Sequence, residues 1–180
     1  MLYSIEYGSP LGTLTLASDG EALLGLWLSG QKNFGGTLPL ADAVPGEVAP
    51  LRLAKSWLDG YFAGEAPVIS QLPLAPAGSP FRQAVWQLLC EIPYGKVCTY
   101  GDLARALERR LGSASVSARA VGGAVGHNPI SLIIPCHRVI GAGGSLTGYA
   151  GGLECKQWLL AWEGSAEHLA SPAYRHRFQP

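Results

Sequence analysis

Ser79-Pro80-Phe81-Arg82-Gln83-Ala84-Val85-Trp86-Gln87-Leu88-Leu89 is where the chain changes character. A serine followed by a proline starts a helix: the hydroxyl accepts an otherwise unpaired amide, and proline lacks the amide that a first turn cannot use. Phe81, Val85, Leu88, Leu89 and Ile92 then recur at helical spacing, and Pro93-Tyr94-Gly95 stops the helix. Just upstream, Pro67, Pro73, Pro76 and Pro80 break up a stretch unsuited to regular structure. The pattern predicts an N-terminal α/β domain over 1–66, a linker over 67–78, a C-terminal domain over 79–165 and a tail over 166–180.

Toward the N-terminus, Tyr3-Ser4-Ile5-Glu6-Tyr7 and Thr13-Leu14-Thr15-Leu16 alternate apolar with polar, and Leu23–Leu28 is a third apolar run. These predict an antiparallel meander of about three strands. Residues 29–50, rich in Gly and Pro, read as loop. Leu51, Ala54, Leu58 and Phe62 define one amphipathic helix ending near Gly64, with Trp57, Tyr61 and Phe62 read as core.

Toward the C-terminus, Thr99-Tyr100-Gly101-Asp102 fits a capping box and opens a helix with Leu103, Leu107 and Leu111 on its inner face. Another helix begins near Ser117 and carries Arg119, Ala120, Val121, Gly122 and Gly123. Two short helices across a Gly/Ser turn suggest a helix-turn-helix. Gly122 and Gly123 each cost about 1 kcal/mol against alanine inside a helix. They ask for a reason, either tight packing on another helix or close approach to a nucleic-acid groove. Asn128-Pro129 ends that helix, 130–134 reads as a short buried strand, and Leu153–Trp162 is a last helix. The fold class expected is α/β (α+β): a small antiparallel-sheet domain with a helix, then a mainly helical domain containing a helix-turn-helix.

Charge is distributed unevenly. The formal net charge is zero and charged residues are only 14%, but before Ser79 there are three Lys/Arg against seven Asp/Glu, and from Ser79 onward ten against six, with all four His. The second half therefore carries the basic surface. Cys90, Cys98, Cys136 and Cys155 have irregular spacing and no Cys-x-x-Cys. With no secretory signal at the start and no apolar run near 18 residues, they predict free thiols in a soluble, cytoplasmic protein.

Between the expected strand and a glycine-dense segment, 141–152, lies Pro135-Cys136-His137-Arg138-Val139-Ile140. A thiol becomes a strong nucleophile as thiolate, which a neighbouring imidazole and positive field promote. Side chains at adjacent positions of an extended strand point to opposite faces, so a working Cys136-His137 pair needs a turn or a bridging water. Glu163 is a candidate to orient the imidazole. Taken alone, the pair reads first as a structural cysteine beside a satisfied core histidine. No ligand-pair spacing marks a metal site, and the glycines do not follow a phosphate-loop pattern.

Taken together, these motifs resemble the O6-alkylguanine-DNA alkyltransferase family. Pro135 to Ile140 is preceded by Gly126-His127-Asn128-Pro129-Ile130 and followed by Gly148-Tyr149-Ala150-Gly151-Gly152-Leu153-Glu154, Trp158-Leu159-Leu160 and Glu163-Gly164. The match extends back through Arg119-Ala120-Val121-Gly122-Gly123, Tyr100-Gly101, Ile92-Pro93-Tyr94-Gly95 and Phe81-Arg82-Gln83-Ala84-Val85-Trp86, in the family's order. It is dense over about half the chain.

The resemblance implies a DNA repair protein that transfers an alkyl group from O6 of guanine, and from O4 of thymine, irreversibly to Cys136. His137 would take the thiol proton through a water, Glu163 would orient it, and Tyr100 would lend a proton to the leaving base. Arg119 would fill the stack vacated by a flipped base, with Ala120, Gly122 and Gly123 in the minor groove. Asn128 and Pro135 would shape the turn, while Val139, Tyr149 and Ala150 would line the pocket, the Cys136 and Val139 carbonyls reading the guanine amino group. It implies a monomer acting on double-stranded DNA, with no cofactor, no zinc and no membrane. The segment 108–115 is longer than is usual by about one helical turn, which bears on the reach of Arg119. Two further classes fit some of the residues: a non-reactive alkylguanine-binding protein and a Cys/His hydrolase.

Overall fold

A computed structural model of the protein describes residues 1–112 and 115–179, which form two units. The first comprises Met1–Ala77 together with Pro129–Ile133, and the second Gly78–Asn128 with the chain from Ile134 onward.

In the first unit, strands β1 (Tyr3–Ser9), β2 (Gly12–Ser18) and β3 (Leu23–Leu28) form the expected antiparallel meander. Alternation sets the register: Leu14 faces Leu28 and Leu16 faces Leu26, and all four are buried. Helix α1 (Ala49–Phe62) packs on this sheet and buries Leu51, Ala54, Leu58 and Tyr61. Gly25 is required where it stands, because a methyl there would fall 1.8 Å from the Trp27 indole that folds back over it.

The stretch 29–50 is not all loop. It carries a 3-10 turn, Leu40–Asp42, and a fourth strand, β4 (Val44–Pro45), parallel to β1 at the sheet edge. Proline is tolerated there because an edge strand needs only one row of amides. The stretch expected as a linker lies along β3: Leu23 N–H donates to Pro73 O at 2.7 Å and Ala75 N–H to Leu23 O at 2.9 Å. Nor is 130–134 a strand. Ile130 alone bridges β3, through Leu26 N–H to Pro129 O and Ser131 N–H to Leu26 O, both 2.9 Å. The chain then turns at Leu132, a non-glycine residue at φ +67°, closed by Ile133 N–H to Ser131 O at 2.8 Å. That is the rarer hand of the three-residue turn.

The second unit is mainly helical. Helix α2 (Pro80–Leu89) starts at the Ser79 cap, whose Oγ accepts Arg82 N–H at 3.3 Å. It buries Val85, Trp86, Leu88 and Leu89 completely or nearly so, each contributing roughly 1.5–3 kcal/mol. The short strand β5 (Cys98–Thr99) leads into α3 (Tyr100–Leu111) through the capping box, with Asp102 N–H on Thr99 Oγ1 at 3.1 Å and Thr99 N–H on Asp102 Oδ2 at 2.8 Å. Ser117 caps α4 (Ala118–Gly126), and α2, α3 and α4 pack on one another. Of the long segment 108–115, residues 108–111 extend α3 and Gly112 caps it, while Ser113 and Ala114 lie outside the described residues.

A 3-10 turn at Cys136–Arg138 runs into β6 (Val139–Ile140), parallel to β5, and α5 (Leu153–Trp162) follows. The segment expected as a tail belongs to the second unit. Ala166 and Leu169 pack on Val97, Ile140 and Leu160, and Val97 pairs with the backbone on either side of Arg175. Among the described residues, no helix is long and apolar enough to cross a membrane.

Candidate active site

Two turns aim the Cys136 thiol. Pro135 has φ −81° and ψ 65°, and Cys136 N–H donates to Ile134 O at 2.8 Å. This is an inverse γ-turn, for which the proline ring presets φ. The 3-10 turn follows at once and places Cys136, His137 and Arg138 in successive buried positions that a strand would have split between two faces. Ile134 O also accepts Asn128 Nδ2–H at 2.9 Å, so both lone pairs of one carbonyl brace the turn. Asn128 thereby ties off the excursion 129–133 just before the cysteine.

Behind the thiol is a buried ionic network. His137 Nε2 lies 2.7 Å from Glu163 Oε1. An ionised carboxylate only accepts, so the proton is assigned to Nε2, and the buried Nδ1, which has no partner among the described residues, keeps its lone pair. Arg138 grips the same carboxylate, Nε to Oε2 at 2.8 Å and Nη2 to Oε1 at 2.9 Å, while its Nη1 donates to Ile92 O at 2.6 Å. Gly95 N–H approaches Glu163 Oε2 at 3.4 Å. Gly95 has φ +75°, and a methyl there would sit 3.1 Å from Glu163 O, so the turn that stops α2 also supplies one wall.

Protonation states follow from these surroundings. Burial opposes ionisation of Glu163, but His137 and the Arg138 guanidinium overcome it and hold the carboxyl well below the usual range. Burial lowers the His137 pKa against the pull of Glu163, so the imidazole is neutral near pH 7. Burial likewise pushes the Cys136 thiol up, opposed by the Asn128 side chain and the Lys156 charge. The resting state is a protonated thiol, a neutral base and an ionised carboxylate.

Around the thiol stand two tyrosines. Tyr100, first residue of α3, donates its hydroxyl to Thr147 O at 3.2 Å. Tyr149 has a buried hydroxyl without a partner among the described residues, and its pKa is raised well above 10 by burial and by Cys136. Ala150 follows it in a turn closed by Gly152 N–H to Tyr149 O at 3.0 Å. The Val139 and Cys136 carbonyls are each already engaged, by Lys156 Nζ and by Val139 N–H, leaving one lone pair apiece.

Arg119, Ala120 and Gly123 stand apart from this cluster, on the exposed face of α4. The opposite face is anchored by Val121, Ala124 and Val125 and by Trp86 Nε1–H to Ala124 O at 2.9 Å. Among the described residues, a methyl on Gly122 would meet only the Tyr100 ring, at 3.8 Å, and one on Gly123 nothing within 4 Å. Tight packing within the protein therefore does not explain these glycines.

Comparison with known proteins places this geometry in context. A model of the 6-O-methylguanine DNA methyltransferase DNA-binding domain matches residues 80–165, and one of that family's ribonuclease-like domain matches residues 1–76. The chain belongs to the 6-O-methylguanine DNA methyltransferase family. Among its relatives, the methylated-DNA–protein-cysteine methyltransferase of Haemophilus influenzae is 44% identical over 165 residues, 90% of this chain and 86% of that protein. That of Methanosarcina acetivorans is 43% identical over 166 residues, 92% and 99% respectively. The crystal structure of the Mycobacterium tuberculosis O6-methylguanine methyltransferase superposes with a TM-score of 0.76 at 40% identity, covering 92% of this chain and 94% of that one. A structure of the Mycobacterium tuberculosis protein in complex with DNA gives 0.74 at 40% identity, covering 92% and 93%.

Two residues of this methyltransferase-family site carry no role in the sequence analysis. Arg138 is the second ligand of Glu163. Lys156 is fully buried, and its ammonium donates to the carbonyls of Val139, Thr147 (3.0 Å) and Gly148 (3.1 Å), stitching β6 to the glycine segment. Burial lowers its pKa to about 8. The available signal was its place at 156, three and four residues before Leu159 and Leu160, a lysine on the apolar stripe of α5. Among the described residues, no group of three or more His, Cys, Asp or Glu is placed to hold a metal ion.

Proposed function

We propose that the protein repairs double-stranded DNA by moving an alkyl group from O6 of guanine, and from O4 of thymine, to Cys136. The observation that carries this is the relay behind the thiol: His137 pinned through Nε2 by Glu163, its Nδ1 left as the only basic atom of the ring.

In that reaction His137 Nδ1 takes the thiol proton through a water, and the soft thiolate attacks the alkyl carbon. A C–S bond forms, the C–O6 bond breaks, and its electron pair stays with the base. Tyr100, hydroxyl on Thr147 O, supplies a proton to the leaving ring, and the proton taken up by His137 returns to the tyrosinate through solvent. Glu163 stabilises the imidazolium that forms, and Arg138 keeps Glu163 ionised. The thioether has no leaving group that water can displace, so each molecule acts once, and no cofactor enters.

The damaged base must leave the stack to meet a buried thiol, and unstacking costs a few kcal/mol. Arg119, exposed near the start of α4, fills the gap, while Ala120, Gly122 and Gly123 let the helix backbone into the minor groove. Tyr149, Ala150 and Val139 wall the pocket that Asn128 and Pro135 shape. The protein acts as a monomer in the cytoplasm.

Incubation with duplex DNA containing O6-methylguanine, followed by mass analysis of tryptic peptides, tests this. One methyl per protein on the Cys136 peptide, absent in Cys136→Ala, is the expected result. Retention of DNA without transfer would instead mark a non-reactive binder, and product in excess of protein a hydrolase.

A further inference from the structure

Away from the thiol, α3 and the C-terminal segment line an open cleft of about 230 Å³ whose lining is mostly arginine. Arg105 and Arg109, four residues apart on α3, line it together with Arg175 and Arg177, and Asp102 is the only carboxylate among the described lining residues. Among the described residues, four guanidinium groups against one carboxylate give a local balance of +3. Asp102 is already committed to Arg105 at 2.6 Å, to Arg175 at 3.0 Å and to the cap of α3. Among the described residues, neither Arg109 nor Arg177 has an ion-pair partner.

The segment that brings the second pair of arginines is fixed rather than loose. Val97 N–H donates to Tyr174 O at 2.9 Å and His176 N–H to Val97 O at 2.8 Å, so residues 174–176 are strapped to Val97, the residue just before β5. Lys96 adds a hydrogen bond to Ala173 O at 2.7 Å. His176 stands edge-on to the Phe178 ring, centroids 4.6 Å apart, which sets its orientation in the lining. Two nitrogens of the lining, Arg175 Nε and His176 Nε2, are buried with no hydrogen-bond partner among the described residues. A buried Arg175 Nε–H left unsatisfied is costly, and an anion accepting from it would complete the site.

We propose that this cleft is a binding site for a phosphate group, distinct from the alkyl-transfer centre. Planar guanidinium forks match phosphate oxygens in pairs, which explains arginine at all four positions where lysine would supply charge alone. The volume falls below the roughly 300–1,000 Å³ of small-molecule sites, so the cleft takes a single phosphate group rather than a whole nucleotide. That group belongs either to the DNA backbone, extending the footprint beyond α4, or to a free phosphorylated molecule.

Inorganic phosphate titrated into the full chain, with the arginine Nε–H signals followed by NMR, tests the site directly. Saturable shifts at Arg105, Arg109, Arg175 and Arg177 are expected, weakened at least tenfold in Arg109→Gln/Arg177→Gln, a variant whose urea midpoint should match the parent. The salt dependence of binding to undamaged duplex separates the two sources. A slope smaller by about 0.9 in the variant assigns the phosphate to DNA; an unchanged slope with intact phosphate binding assigns it to a free molecule. Absence of saturable shifts, or shifts that the double variant leaves in place, overturns the proposal. Methyl transfer to Cys136 is scored separately, so its failure would count against the repair reaction and not against this cleft.

Discussion

At the scale of single residues, the site depends on Glu163 being charged where charge is hardest to keep. Its side chain is fully buried, and two cationic or proton-donating partners hold it ionised. Glu163→Gln would leave the Arg138 guanidinium buried without compensation, a loss of about 3–5 kcal/mol at pH 7, readable by urea denaturation. Because the folded-state pKa lies below the ordinary value of 4.5, this contribution is fully present above pH 4.5 and disappears as pH falls through the folded value. The stability gap between parent and variant should therefore close in acid; a gap of constant size from pH 7 to pH 3 would contradict the pairing. The transfer rate should fall by roughly 10²-fold or more in the variant, the scale of a lost general base. His137 gives an independent check: with its pKa lowered by burial, single-turnover transfer should stay level through pH 6.5 and drop only below it. A midpoint at or above 6.5 would show that the imidazole is not held as described. The pairing was legible in part, since Cys136 and His137 adjoin and Glu163-Gly164 is one of the segments that carry the family resemblance. Arg138 and Lys156 were not, because a charged residue in a sequence ordinarily reads as solvated and only three-dimensional pairing makes it internal.

Helices were the most legible elements, because their starts are written locally. Ser79, Thr99 and Ser117 each cap the helix that the sequence assigns to them, through hydrogen bonds spanning three residues. Elements that depend on distant partners were not legible: β4 exists only because β1 offers an edge, and Ile130 only because β3 does. The break at Leu132-Ile133-Ile134 was hidden for another reason. An apolar run with two β-favouring isoleucines outvotes a turn in any local count, but buried backbone pairing on both sides forces one at φ +67°. Helix α4 carries the clearest prediction at this scale. Gly123→Ala puts a methyl into open space on a helical backbone, so the free protein should gain about 0.5–1 kcal/mol in thermal or urea unfolding. If α4 lies against DNA, the same methyl should weaken duplex binding several-fold, measured by fluorescence anisotropy. A variant that is more stable and binds equally well would remove the groove as the reason for the glycine.

For the whole molecule, the decisive feature is that the chain leaves its second unit for five residues and does so beside the nucleophile. Pro129–Ile133 is part of the first unit, while Asn128 and Ile134, which flank it, hold the Cys136 turn from both sides. The first unit thus holds Pro129–Ile133, the five residues between Asn128 and Ile134, although it contributes none of the proposed reacting groups. Removing it tests this. A chain cut to residues 78–180 would lose the two hydrogen bonds that Leu26 makes to Pro129 and Ser131, and would strip the first unit from around Ile130, Leu132 and Ile133, all completely buried in the whole chain. At roughly 1.5–3 kcal/mol for each exposed side chain, the loss approaches the 5–15 kcal/mol that stabilises an ordinary domain. Transfer to O6-methylguanine should then fall below detection, and urea unfolding should lose its cooperative transition or shift far to lower denaturant. Separately added residues 1–77 should restore part of both, since they carry the β3 edge on which Ile130 lies. A truncated chain that unfolds at the parent's midpoint and transfers at the parent's rate would show instead that the Pro135 γ-turn and the Asn128 brace suffice to aim Cys136 unaided.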